Sequence, residues 1–67
     1  MTLGETLPFE IARVRDTVLP VYLALGDPGK FAVTLMRQAL DRASRAMIEG
    51  DTLAMMGAYQ ALKGFQR

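Results

Sequence analysis

Apolar residues in the first third of the chain recur at the spacing of one face of an α-helix. They stand at alternating steps of four and three residues: Leu7, Ile11, Val14, Val18, Val21 and Leu25. Thr6 is a suitable N-cap and Pro8 falls in the first turn, so the pattern predicts a helix over residues 7–25. Pro20 removes one backbone hydrogen bond inside this helix, which predicts a kink there or a break into two pieces, with the apolar stripe continuing across it.

Two further helices are predicted from punctuation and charge. Gly26 is suited to end the first helix, and Asp27 to cap a second helix over residues 28–49 that has Pro28 in its first turn. The polar face of the second helix alternates in sign every four residues, at Arg37, Asp41, Arg45 and Glu49. Gly50 suits a helix end and Asp51 suits an N-cap, which predicts a third helix over residues 52–64.

Rows of small residues flank the short joint at Gly50 and Asp51. The row before the joint is Ala39, Ala43, Ala46 and Gly50, and the row after it is Ala54, Gly57, Ala61 and Gly64. Each row occupies one face of its helix, so the two rows predict helices that pack closely in an antiparallel hairpin. The predicted fold is an all-α three-helix bundle, one domain over residues 1–67, with the kinked first helix packed across the hairpin.

Composition adds an expectation about assembly. Apolar residues make up 51% of a chain of 67 residues that has no cysteine, more than one small core readily buries. We therefore expect a homo-oligomer. Eight basic residues balance seven acidic ones, and the longest apolar run, Val18 to Leu25, is too short to cross a bilayer. The N-terminus lacks the pattern of a signal peptide, so a cytoplasmic protein is expected.

Catalytic and metal chemistry find little support. The chain has no histidine and no cysteine, and its one serine, Ser44, has no base nearby in the sequence. Glu49 and Asp51 straddle the joint, where a helix end and an N-cap explain them. Gly29 and Lys30 lack the strand, glycine spacing and Ser or Thr of a phosphate-binding loop. The sequence predicts a protein that is not an enzyme, with no cofactor and no metal site.

Contact with another protein is the function that the sequence favours. Leu53 and Leu62 are expected in the core, whereas Met56, Tyr59 and Phe65 suit the core and a partner equally well. The predicted interface residues are Val18, Tyr22, Phe31, Leu35, Met56, Tyr59 and Phe65. The uncovered start of the second helix and the apolar stripe of the first are the expected sites of self-association.

A small dimeric DNA-binding regulator is the alternative, with Gln38, Arg42 and Arg45 as its contact residues. Phosphate affinity requires positive charge that is not compensated, and Arg37 and Arg45 belong to the alternating ladder of the second helix. The expected joint is also shorter than the turn of a helix-turn-helix motif. These features make nucleic acid the weaker prediction. A structural or assembly part of a phage particle is a third alternative.

Two resemblances accompany these predictions. Residues 43–62, centred on Gly50 and Asp51 and including Ala54, Tyr59 and Leu62, resemble a tetratricopeptide-type helical hairpin without its repetition. That resemblance implies hairpin geometry only. The segments 8–15 and 37–43 resemble short helical proteins encoded in proteobacterial genomes and their prophages. This second resemblance implies no activity, but it favours a phage-type modulator that binds a host protein.

Overall fold

The computed structural model describes residues 2–66, and within them the chain forms three helices and no strand. Helix α1 consists of an α-helical part, Leu3–Arg13, a π-helical turn, Val14–Val18, and a second α-helical part, Leu19–Ala24. A 3₁₀ turn, Asp27–Gly29, leads into α2, which spans Lys30–Glu49. Helix α3 spans Thr52–Lys63. The protein is therefore a small all-α fold, as the sequence predicts.

Helix α1 begins earlier than the sequence predicts, because Thr2 and not Thr6 precedes its first residue. The Thr6 hydroxyl donates to the Thr2 carbonyl oxygen at 2.9 Å and is an ordinary side chain of the first turns. Pro8 therefore lies inside the helix, not at its start. The carbonyl of Gly4, four residues before Pro8, loses the N–H that would normally donate to it.

The π-helical turn corrects the predicted apolar stripe of α1. The Leu19 amide donates to the Val14 carbonyl five residues back, so this turn holds one residue more than an α-helical turn. One extra residue rotates the remainder of the helix by roughly 100°. Val21 and Leu25 consequently turn towards solvent, and Tyr22 packs against the core instead. The wide turn comes just before Pro20, whose ring would crowd the carbonyls of a regular helix.

The joint between α2 and α3 has the predicted chemistry. Gly50 adopts a left-handed conformation with φ of 67°, which glycine tolerates without a Cβ penalty. Its amide donates to Met47 O at 3.3 Å, and the Asp51 amide donates to Ala46 O at 3.1 Å. These two bonds form a Schellman motif. The Asp51 carboxylate then accepts from the Ala54 amide at 3.2 Å and caps α3, which confirms its predicted role.

The turn between α1 and α2 depends on two glycines. Gly26 has a φ of 71°, as a glycine at a helix end can, although Asp27 enters a 3₁₀ turn and does not cap α2. Gly29 is buried, and a Cβ there would overlap the carbonyl oxygen of Tyr22. The sequence offers Gly29 only as part of a turn. In the structure it is the point where the turn approaches the backbone of α1.

The core lies where α1 packs against α2 and α3. Its buried side chains come from all three helices: Leu7, Val14, Val18, Met36, Ala39, Ala43, Ala58 and Leu62. The Arg13 guanidinium adds a polar tie, because it donates to Leu62 O at 3.0 Å and to the Glu10 carboxylate at 2.7 Å. The Tyr22 hydroxyl donates to Gln66 O at 2.9 Å and holds the C-terminal segment against α1.

The two predicted rows of small residues lie in different surroundings. The row on α2 is buried at three positions: Ala39, Ala43 and Ala46. The prediction is wrong for α3, whose row is exposed at Ala54, Gly57 and Ala61. Helix α3 instead turns Ala58 and Leu62 inward, because burying the Leu62 side chain removes more apolar area from water than burying a glycine does.

Candidate functional site

A groove of about 600 Å³ runs between α2 and α3. Its lining comes from these two helices and from the segment just after α3, and no residue of α1 takes part. The residues along it are Leu35, Gln38, Ala39, Arg42, Arg45, Ala46, Glu49, Ala54, Gly57, Ala58, Ala61 and Phe65. The pair of helices therefore has one side closed by α1 and one side that stays open.

The groove exists because its walls are built from small residues. Side chains no larger than a methyl group line its α3 wall at Ala54, Gly57 and Ala61. A Cβ placed on Gly57 would meet no atom within 4 Å, so the space above this wall is empty of protein. A helix with larger residues at these positions would fill its own groove. This wall can instead accept side chains from another molecule.

Charges line only the α2 wall of the groove. Arg42 and Arg45 stand there with Glu49. Arg45 donates to the Asp41 carboxylate at 3.2 Å, and both side chains are exposed, so this pair is weak. Arg42 has no ion pair within residues 2–66. Gln38, Arg42 and Arg45, the residues predicted for nucleic acid, thus lie along one wall.

The outer surface of α3 is the unusual part of this site. Lys63 is the only charged residue in the helix, and its amine lies 5.9 Å from the centre of the Tyr59 ring, beside the residues of α1. Leu53, expected in the core, is 80% exposed, and Met56 is 48% exposed. An apolar, almost uncharged helix face in water is typical of a contact surface.

The predicted interface residues separate into three groups. Val18 is 1% exposed in the core, offers no surface to a partner and is not retained as an interface residue. Tyr22 and Tyr59 are half-buried against the core. Of the remaining four residues, two line the groove and two lie outside its lining. Leu35 and Phe65 line one end of the groove, Phe31 is 75% exposed one turn before Leu35, and Met56 lies on the outer side of α3.

A second, polar hollow lies between α1 and the end of α3. Glu10, Arg13, Thr17 and Lys63 are among the residues that line it. Arg13 already donates hydrogen bonds to Glu10 and to the end of α3. Polar groups of this hollow therefore serve contacts within the fold. Its lining gives it no evident ligand.

The titratable side chains of residues 2–66 do not gather at one place in the fold. No cluster of three or more acidic side chains that could hold a metal ion is found there, and no polar or charged residue is buried. The Arg15 side chain donates to Asp16 at 2.8 and 3.0 Å, and these hydrogen bonds lower the pKa of this exposed carboxyl. Ser44, Glu49 and Asp51 are exposed. No helix in this part of the chain is long and apolar enough to cross a membrane.

Comparison of the chain with protein-family models, with curated proteins and with solved structures gave no match. The site must therefore be interpreted from its own residues. The groove was not predicted from the sequence, because the small residues of α3 were expected to pack against α2. One signal was available, since α3 has a single charge in twelve residues while α2 has six in twenty.

Proposed function

We propose that this protein is a non-enzymatic protein–protein interaction module and that the groove between α2 and α3 is its binding surface. The observation that carries the proposal is the open, small-residue wall at Gly57 and Ala61, flanked by the exposed side chain of Leu53. An apolar side chain seated in this groove would be shielded from water on two sides. That burial contributes roughly 25 cal/mol per Å² of apolar surface.

An α-helix is the element that best matches this groove. Helices dock into the groove between two others with their larger side chains over small residues, at interaxial distances of about 8–10 Å. The proposal takes α2 and α3 as an antiparallel hairpin, which the short joint at Gly50 and Asp51 supports. It also takes α1 as bent at Pro20, which the preceding π-helical turn supports.

The proposed setting is the cytoplasm, with the protein acting as a phage-type modulator that occupies a surface of a host protein. Support for a modulator comes from the resemblance of segments 8–15 and 37–43 to short prophage-encoded helical proteins. The groove supplies the physical means, because its walls can hold a helix without any covalent step.

Affinity capture with two matched variants tests the proposal. Gly57→Arg places a long charged side chain in the groove, and Ser44→Arg places the same side chain on an exposed position outside it. We expect proteins from a bacterial lysate, or an added untagged copy of the chain, to be retained by the wild type and by Ser44→Arg but not by Gly57→Arg. Equal retention by all three, or none by the wild type, would overturn the proposal.

DNA binding is the second candidate, and one observation favours it. Gln38, Arg42 and Arg45 lie along one wall of the groove, as a recognition surface would require. Glu49 on the same wall and the Asp41–Arg45 pair work against it, because they offset the positive charge. A gel-shift series tests it. DNA binding should weaken steeply with salt, and Arg42→Ala should flatten that dependence. No retention on DNA at low salt would exclude this function.

A further inference from the structure

We infer that the occupant of the groove is a second copy of this chain. In the dimer, α3 of one copy lies antiparallel to α3 of the other across a two-fold axis near Gly57. Leu53 of each copy then enters the other's groove beside the partner's Ala61. This inference rests on the proposed function and names its partner.

Charge is the first argument for a second copy. A two-fold interface brings each face against its own image, so any net charge on the face repels itself. The groove side of α3 has no charged residue, because Lys63 lies on the other side with Tyr59. The charges of the groove, Arg42, Arg45 and Glu49, all lie on its α2 wall, so two α3 faces that meet at the axis do not repel each other.

Shape is the second argument, because a projection and a hollow lie on the same helix. In an antiparallel pair centred on Gly57, residues equally far from it in opposite directions meet. Leu53 is four residues before this centre and Ala61 is four residues after it. The large exposed side chain of one copy therefore meets the small wall residue of the other, once on each side of the axis.

Area is the third argument, and it limits the strength of the dimer. Helix α2 is about 30 Å long and α3 about 18 Å, so at a diameter of about 10 Å the two helices give a face of roughly 480 Å². Contact over this whole face buries roughly 1,000 Å² in total, which is typical of weak, transient interfaces. The structure therefore points to a dimer that dissociates on dilution, not to an obligate one.

Disulfide trapping tests the geometry, because the natural chain has no cysteine. A disulfide requires the two Cα atoms to come within about 7 Å, which the axis near Gly57 provides. With oxidised glutathione as the electron acceptor, we expect Gly57→Cys to form a covalent dimer. Ser44→Cys, exposed and outside the groove, should stay mostly monomeric under the same conditions. Equal yields from both variants would contradict the inference.

Sedimentation equilibrium tests the dimer without cross-linking. We expect the wild type to pass from monomer to dimer as its concentration rises from micromolar to millimolar. Leu53→Lys should weaken the dimer by about tenfold or more, since each interface loses two buried leucines. Phe9→Lys is the matched control, because Phe9 is also exposed and apolar but does not line the groove.

The outcomes separate this inference from the proposed function. A wild type that stays monomeric at millimolar concentration overturns the second copy as occupant. If lysate proteins are still retained by the wild type and lost by Gly57→Arg, the groove binds a different protein and the proposed function stands. A dimer weakened equally by Leu53→Lys and Phe9→Lys would also overturn the inferred geometry.

Discussion

The two sides of the α2–α3 pair differ in what covers them. On the closed side, α1 contributes Leu7, Val14 and Val18, and the side chains there are almost fully buried. On the open side, the same two helices present a groove with no residue of α1 in it. The predicted row of small residues on α2 is buried at Ala39, Ala43 and Ala46, whereas the predicted row on α3 is exposed. A row of small residues can therefore be buried or exposed. The outcome depends on which face of the helix carries the larger apolar side chains, because that face packs into the core.

The largest expected effect comes from removing a leucine on each side. Leu62 is fully buried on the closed side, so Leu62→Ala should lower the free energy of unfolding by about 2–5 kcal/mol. Leu53→Ala on the open side should change it by less than about 0.5 kcal/mol in the monomer. Urea denaturation of dilute protein measures both. Similar losses of unfolding free energy for the two variants would mean that Leu53 is packed inside the monomer, which would contradict an open groove side.

Gly29 tests how tightly the closed side is held. Gly29→Ala places a Cβ against the Tyr22 carbonyl oxygen, which belongs to the backbone and cannot turn away. We expect a loss of about 1–3 kcal/mol from the resulting overpacking. Gly4→Ala is the control, since its Cβ would meet only the Thr2 hydroxyl at 3.9 Å. Thermal unfolding that ranks the two variants in the reverse order would contradict this packing.

Arg13 tests the polar tie between α1 and α3. Arg13→Met keeps much of the length of the side chain but removes its hydrogen bonds to Leu62 O and to Glu10, which should cost about 1 kcal/mol. The comparison variant is Arg15→Met. Among residues 2–66, Arg15 forms its side-chain hydrogen bonds and ion pair with its exposed neighbour Asp16, so its loss should leave the unfolding midpoint almost unchanged. Equal effects of the two substitutions would contradict a stabilising role for the hydrogen bonds of Arg13.

Gly57 gives the smallest expected effect, and one of opposite sign. The close packing predicted for Gly57 would make a leucine there destabilising, and an alanine stabilising only if its methyl group fits. In the structure its Cβ would meet open space, so Gly57→Ala should raise stability by up to about 1 kcal/mol through better helix propensity. Calorimetry at low protein concentration checks this. A melting temperature below that of the wild type would mean that Gly57 is packed against another helix within the monomer.

Much of the fold can be predicted from local signals. Gly50 and Asp51 determine the joint because a left-handed glycine and a capping carboxylate need only their own neighbours. The register of α1 cannot be predicted in this way. The π-helical turn at Val14–Val18 rotates Val21 towards solvent and Tyr22 towards the core. The spacing of apolar residues does not indicate that one turn holds an extra residue.

The groove was hidden for a different reason. Small residues in a row are compatible with a packed face and with an open one, and the choice depends on the competing face of the same helix. In α3 that competitor includes Leu62, whose burial outweighs close approach at Gly57. The residues suggested for nucleic acid, Arg42 and Arg45, nevertheless fall on the groove, because helical spacing alone places them on one face.

Binding on the open side is tested most directly by amide NMR spectra at rising protein concentration. We predict that the signals of Leu53, Gly57 and Ala61 shift progressively, while those of Leu7 and Phe9 on α1 stay fixed. Gly57→Arg should abolish these shifts, and Ser44→Arg should not. Shifts centred on α1, or spectra that never change with concentration, would contradict the claim that the groove receives a second copy.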